Sequence, residues 1–169
     1  MPAEVEFRSD VSGFVFGRGS LNELRGVEQG LVDVTLRALQ MSVVDFAVHD
    51  GIRYPIEQAE LVRTGASWTL NSRHLPTSDG PGLAPMGHAV DLVPYVGGRL
   101  RWEWPLCFQV ARAMKTAAEA LDVEIRWGGY WGLLSEFLNP DVGHERYLRR
   151  KLEAGETPHA DGPHFEIPA

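Results

Sequence analysis

Apolar residues recur at helical spacing in two stretches of the chain. Leu31, Val34, Ala38 and Met41 fall three or four residues apart and so share one helix face. Leu106, Val110, Ala113, Met114, Ala117 and Leu121 do so more strongly, which predicts a helix over residues 106–121. Val43, Val44, Phe46 and Val48 instead make a β-favouring run that stops at Asp50-Gly51, a turn signal. Ala89, Val90, Leu92 and Val93 surround Asp91 in what reads as a buried strand, and residues 123–127 and 164–167 are short strand candidates. Pro55 suits the first turn of a helix that Ile56, Ala59, Glu60 and Val62 continue to a stop at Gly65, which leaves Arg53 in the strand-to-helix turn. Ser20 with Glu23 has the spacing of a capping box and predicts a short helix over residues 20–25.

Helices and strands therefore mix without the regular alternation of a doubly wound sheet. The expected class is α+β, a small and mainly antiparallel sheet packed with helices. A chain of 169 residues can bury roughly two-thirds of its unfolded surface, enough for one domain over residues 1–169. Residues 65–87 are rich in Ser, Thr, Pro and Gly and carry no period, so they read as a long loop that serves a site or is mobile.

Composition narrows the function classes. A net charge of −7 argues against a nucleic-acid partner. The one dense basic cluster, Arg146, Arg149, Arg150 and Lys151, is interleaved with Glu145 and Glu153 and reads as a solvated helix face. The single Cys107 has no partner for an internal disulfide and lies among Leu106, Phe108 and Val110, as a buried structural thiol does. No apolar run approaches the ~20 residues of a membrane span, and Met1 to Arg8 lack the basic-then-apolar pattern of a signal peptide. The expectation is a protein made in the cytoplasm with no stable membrane association.

The residues with chemistry to offer lie in three segments: Ser72-Arg73-His74-Leu75, Gly87-His88-Ala89-Val90-Asp91-Leu92 and Asp161-Gly162-Pro163-His164-Phe165-Glu166. A catalytic zinc site takes three protein ligands and keeps one position for water, a demand that two imidazoles and one carboxylate meet. Asp91 is costly to bury among its apolar neighbours unless it is paired or bound to a metal. Strand alternation sets His88, Val90 and Leu92 against Ala89, Asp91 and Val93, so if Asp91 faces a metal His88 does not.

These segments resemble the Ser-x-His-x-x-Gly-x-Ala-x-Asp and Asp/Glu-x-x-His signatures of the D-alanyl-D-alanine carboxypeptidase and L-alanyl-D-glutamate endopeptidase family, which includes phage endolysins. Ser72, His74, Gly87, Ala89 and Asp91 match the first signature in order, and Asp161 with His164 matches the second. Gly51-Ile52-Arg53 with Glu57-Gln58, and Trp127-Gly128-Gly129, resemble further segments of that family. One departure is that residues 75–86 separate His74 from Gly87, twelve residues where the family has two. Another is that residues 130–160 intervene before Asp161, as a flap over the substrate.

The resemblance implies a hedgehog/DD-peptidase-like fold and a Zn2+ ion held by His74, Asp91 and His164, with His88 as the substitute ligand if the insertion displaces His74. It implies Asp161 as general base and then proton donor to the leaving amine, and Arg53 as the group that stabilises an oxyanion, a structural salt bridge being the other reading of Arg53. Gln58 and Ser72 are expected to support the site or touch substrate, and Glu166 to orient a ligand imidazole. The implied activity is a zinc-dependent peptidoglycan endopeptidase of endolysin type that hydrolyses the L-alanyl-D-glutamate bond of cell-wall stem peptides. A D-alanyl-D-alanine carboxypeptidase and a non-catalytic zinc-containing wall-binding module are the alternatives. The expected partner is the peptidoglycan stem peptide alone, met by a monomer that acts in the periplasm after release. Trp68, Trp102, Trp104 and Trp131 are expected to be buried or half-buried rather than a sugar-stacking surface, and His49, His144 and His159 to be ordinary.

Overall fold

In the computed structural model, which describes residues 12–169, the chain forms α1 (Arg18–Glu23), α2 (Gln29–Met41), β1 (Phe46–Asp50), α3 (Pro55–Arg63), β2 (Ala89–Val96), β3 (Arg99–Leu100), α4 (Trp104–Leu121), β4 (Arg126–Trp127), β5 (Gly132–Leu133), a 3-10 turn (Leu134–Glu136), α5 (Pro140–Glu153) and β6 (His164–Glu166). The reading of Met1 to Arg8 lies outside the described residues. Every strand pairing is antiparallel, in the order β1-β2-β6-β4-β5, with β3 on β2. The fold is α+β, as expected.

The helical stripes bury over most of their length, although Leu121 at the end of α4 is exposed and Leu106 and Met41 are half-buried. Leu31, Val34 and Ala38 of α2 and Val110, Ala113, Met114 and Ala117 of α4 form one core with Val90 and Leu92 of β2, Trp127 and Phe165. None of the described helices is long and apolar enough to cross a membrane. Burial also pushes the Cys107 thiol, helped by the nearby Asp161 and Glu103 charges, up to about 11, so it is an inert core group.

One local expectation is corrected. Helix α1 begins at Arg18, and Gly17 before it offers no side-chain cap. Ser20 Oγ instead accepts from the Val48 amide at 3.1 Å and the Glu23 carboxylate from the Gly51 amide at 3.3 Å, so the predicted capping pair fastens α1 to β1 and its following turn. The apolar residues of α3 do not form its inner face. Its one buried residue is Gln58, because this helix is held by a polar contact rather than by a core stripe.

Residues 130–160 are a folded segment, from which Tyr130, Trp131, Tyr147, Arg150, Lys151 and His159 border the cleft. Tyr130, Leu134, Gly143, His144 and Tyr147 are buried, and the His144 ring lies 4.0 Å from that of Trp104. The segment packs on α4, and Tyr130, Leu134 and Tyr147 join the main core.

The insertion 75–86 is closed at its neck. Thr77 and Met86 exchange backbone hydrogen bonds at 2.9 Å, and the His88 amide donates to the Arg73 carbonyl at 2.8 Å. The ends of the insertion are therefore held together whatever its length, since only the distance between them constrains the scaffold.

Candidate metal centre

Two strands and one turn bring the site together. In the β2–β6 ladder Asp91 is directly opposite His164, and directly opposed residues project to the same face. The Ser72–His74 turn supplies the third group, with the His74 amide donating to Ser72 Oγ at 3.2 Å. His74 Nε2, His164 Nδ1 and Asp91 Oδ1 then stand at the corners of a triangle whose three sides are all 3.3 Å. His74 and His164 are buried, and the Asp91 side chain retains 19% exposure where it opens to a cleft.

The bonds behind each imidazole decide what faces the centre. His74 Nδ1–H donates to the Gly51 carbonyl at 2.6 Å, an acceptor that requires the proton on that nitrogen. His164 Nε2–H donates to Glu166 at 2.7 Å, and Glu166 in turn accepts from Arg126 at 2.8 Å. Three lone pairs thus converge on one point, an arrangement that needs a cation between them. An edge of 3.3 Å belongs to a tetrahedron whose centre lies about 2.0 Å from each corner, within the range of metal–nitrogen and metal–oxygen bonds. The residues fit a metal ion, and all three border the cleft.

The electrostatics agree with that demand. Burial would raise the Asp91 carboxyl, yet the two imidazoles hold it far below the usual carboxylate range. Burial alone would lower His164, but hydrogen bonds to Asp91 and Glu166 push it up to about 10, so a proton occupies the centre when no metal does. Glu166 is kept below its ordinary value by His164 and Arg126 against the effect of its burial.

A bulge shapes the remaining edge. The β1–β2 register shifts between Val48 and Asp50, which sets Asp50 opposite Asp91. Two carboxylates facing each other repel. Arg53 lies between them, with Nε donating to Asp50 at 2.9 Å, Nη2 also on Asp50, and Nη2 3.5 Å from Asp91 Oδ2. Its Nη1 donates to Gln58 at 2.7 Å, and Gln58 donates onward to Ser67 at 2.9 Å and to the Thr69 carbonyl at 2.6 Å. Gln58 thus holds Arg53 and the start of the long loop together.

Asp161 borders the cleft outside the triangle. Loss of surrounding water and the Asp91 charge raise its carboxyl above the usual range. Its backbone comes close to Gly128 because residue 128 has no side chain. A Cβ there would stand 2.4 Å from the Asp161 carbonyl oxygen, while the two residues hydrogen-bond at 2.8 Å.

His88 is not part of the centre. Its Nε2 contacts Asp79 at 2.8 Å and its Nδ1 contacts Thr77 Oγ1 at 3.1 Å, so it ties down the insertion. The cleft, about 1410 Å³, is bordered by two tryptophans expected to be buried or half-buried and found exposed: Trp68 is 68% and Trp102 54% exposed. Trp68 stacks on His159 with centroids 5.8 Å apart, and His49 meets Trp102 edge-on at 6.0 Å. Arg150 and Lys151 also border the cleft, so that helix face is not wholly given to bulk solvent.

Sequence reasoning missed Asp50, Arg126 and Trp131, whose ring lies 5.2 Å from that of His164. Arg126 was within reach of inference, since pairing the two short strand candidates sets it opposite Glu166. Asp50 was not, because residue alternation carries no sign of a bulge.

A family model described as phage L-alanyl-D-glutamate peptidase matches residues 12–167. The L-alanyl-D-glutamate peptidase of Escherichia phage T5 is 28% identical over 146 residues, covering 84% of this chain and 95% of the relative. The crystal structure of the Serratia marcescens L-Ala D-Glu endopeptidase ChiX superposes with a TM-score of 0.64 at 34% identity, covering 91% of this chain and 90% of that one.

Proposed function

Because the chain belongs to the phage L-alanyl-D-glutamate peptidase family, we propose that it is a peptidoglycan endopeptidase that hydrolyses the L-alanyl-D-glutamate bond of stem peptides, with zinc as its metal. The observation that carries the reading is the 3.3 Å triangle of two imidazole nitrogens and one carboxylate oxygen, bordering a cleft wide enough for a peptide. Bound there by His74, Asp91 and His164, zinc supplies Lewis acidity to the scissile carbonyl and to an attacking water.

The chain's own groups do the rest. Asp161, whose carboxyl is raised above the usual range by loss of surrounding water and the Asp91 charge, takes the proton of the attacking water and returns it to the amine of the departing D-glutamate. Arg53 has committed three of its five N–H groups to Asp50 and Gln58 and a fourth lies toward Asp91, so one on Nη1 remains to meet the oxyanion. Its larger effect is to neutralise the Asp50–Asp91 pair and hold the outer oxygen of Asp91. Glu166 and the Gly51 carbonyl orient the two imidazoles. The proposed setting is the periplasmic face of the wall.

The test is digestion of purified peptidoglycan with and without a chelator, followed by mass-spectrometric identification of new amino termini. A D-glutamate amino terminus that depends on metal is the expected product. Metal-dependent release of free D-alanine would make the chain a carboxypeptidase instead, and no metal-dependent product would end the enzyme reading.

A further inference from the structure

Five cationic side chains border the cleft: Arg53, Arg73, Arg126, Arg150 and Lys151. Three are neutralised in place, Arg53 by Asp50 and Asp91, Arg126 by Glu166 and Lys151 by Glu156. Arg150 is exposed on α5. Arg73 differs from all of these, because it is half-buried and no carboxylate among the described residues lies within ion-pair distance of it.

Its side chain is nonetheless held firmly. Nε and Nη2 both donate to the Ile167 carbonyl, at 3.3 and 3.0 Å, and its own carbonyl accepts from the His88 amide at 2.8 Å. Arg73 therefore bridges the turn that carries His74 and the residue that follows β6. Of the five guanidinium N–H groups two are committed to Ile167, which leaves the end-on pair, one from each Nη, without a protein acceptor among the described residues. That pair is the fork that grips a carboxylate through two parallel hydrogen bonds.

The substrate of the proposed reaction brings a matching group. D-glutamate has two carboxyl groups, and a peptide that continues through one of them leaves the other free on the residue whose nitrogen is in the scissile bond. We propose that Arg73 binds this free carboxylate and so selects D-glutamate on the leaving side of the cut. The inference rests on the endopeptidase reading above.

The experiment compares two stem peptides that differ only in whether this carboxylate is free or amidated. Wild-type enzyme is expected to favour the free acid in kcat/KM by roughly ten- to hundred-fold, the worth of a charge-assisted pair. Arg73→Gln is expected to erase that preference while cleaving the amidated peptide nearly as fast as wild type, and Arg73→Lys to keep part of it. Equal loss on both peptides would make Arg73 a structural tie to Ile167 and overturn the proposal. So would a preference abolished by Arg150→Gln but kept in Arg73→Gln, or a wild-type enzyme with no preference, a result independent of how any variant folds. Failure of wild-type enzyme to cut either peptide at this bond would instead overturn the endopeptidase reading and this proposal with it.

Discussion

Asp91 and His164 stand opposite each other across the β2–β6 ladder, and their facing atoms, Oδ1 and Nδ1, are 3.3 Å apart. One rung of backbone pairing therefore aligns two of the three groups that converge on the centre. The third, His74, is aligned by a bond to the Gly51 carbonyl rather than by the sheet. Site and fold are inseparable here, because a one-residue slip of β6 would turn His164 to the opposite face.

Metal retention and turnover should separate cleanly. His164→Ala is expected to lose both, since it removes one corner of the triangle. Asp161→Asn is expected to bind metal as wild type does and to lose turnover by roughly 10²- to 10⁴-fold, the usual worth of a general base. Metal stoichiometry by plasma emission beside hydrolysis rates checks the pair.

Glu166→Gln should weaken the metal without abolishing it. The amide oxygen can still accept from His164 Nε2–H, but the charge shared with Arg126 is gone. Loss of such a partner typically costs ten- to hundred-fold in metal affinity, roughly, readable in a competition titration with a coloured chelator.

Binding of metal should release close to one proton near neutral pH. His164 is pushed up to about 10 in the metal-free centre, so the ion displaces a proton from it. For metal-free protein the sign is that of any raised group: the stabilisation is complete below the ordinary imidazole value and fades as pH climbs toward about 10. Calorimetric titration in buffers of differing ionisation enthalpy measures the release, and a proton count near zero at pH 7 would contradict it.

Asp161 should weigh on stability where it serves catalysis. Its carboxyl is raised in the folded state, so its contribution is favourable below the ordinary carboxylate value and is lost as pH rises through the folded value. Asp161→Asn is therefore expected to melt at higher temperature than wild type at pH 7 and not at pH 3. Melting curves of the metal-free proteins at the two pH values decide it.

Much of this arrangement was legible in the chain. Helical stripes in α2 and α4 and the alternation around Asp91 depend on local periods, and both appear where the spacing put them. The converging residues lie in motifs whose order survives a long insertion, because the insertion closes on itself between Thr77 and Met86. What stayed hidden was set by partners distant in sequence. Ser20 and Glu23 had capping spacing but found the Val48 and Gly51 amides instead. Trp68 and Trp102 are apolar by type, yet they rim a cleft that only the assembled fold creates.

β6 contributes only residues 164–166 yet lies between β2 and β4. Until it docks, the sheet is two separate ribbons with open edges, and the loop to be closed onto β2 spans 73 positions between Asp91 and His164. Closing so long a loop is paid in chain entropy before any contact repays it. The rate-limiting event in reaching the native state is therefore expected to coincide with the gain of metal affinity, and a trapped intermediate would expose two sticky strand edges and bind no ion.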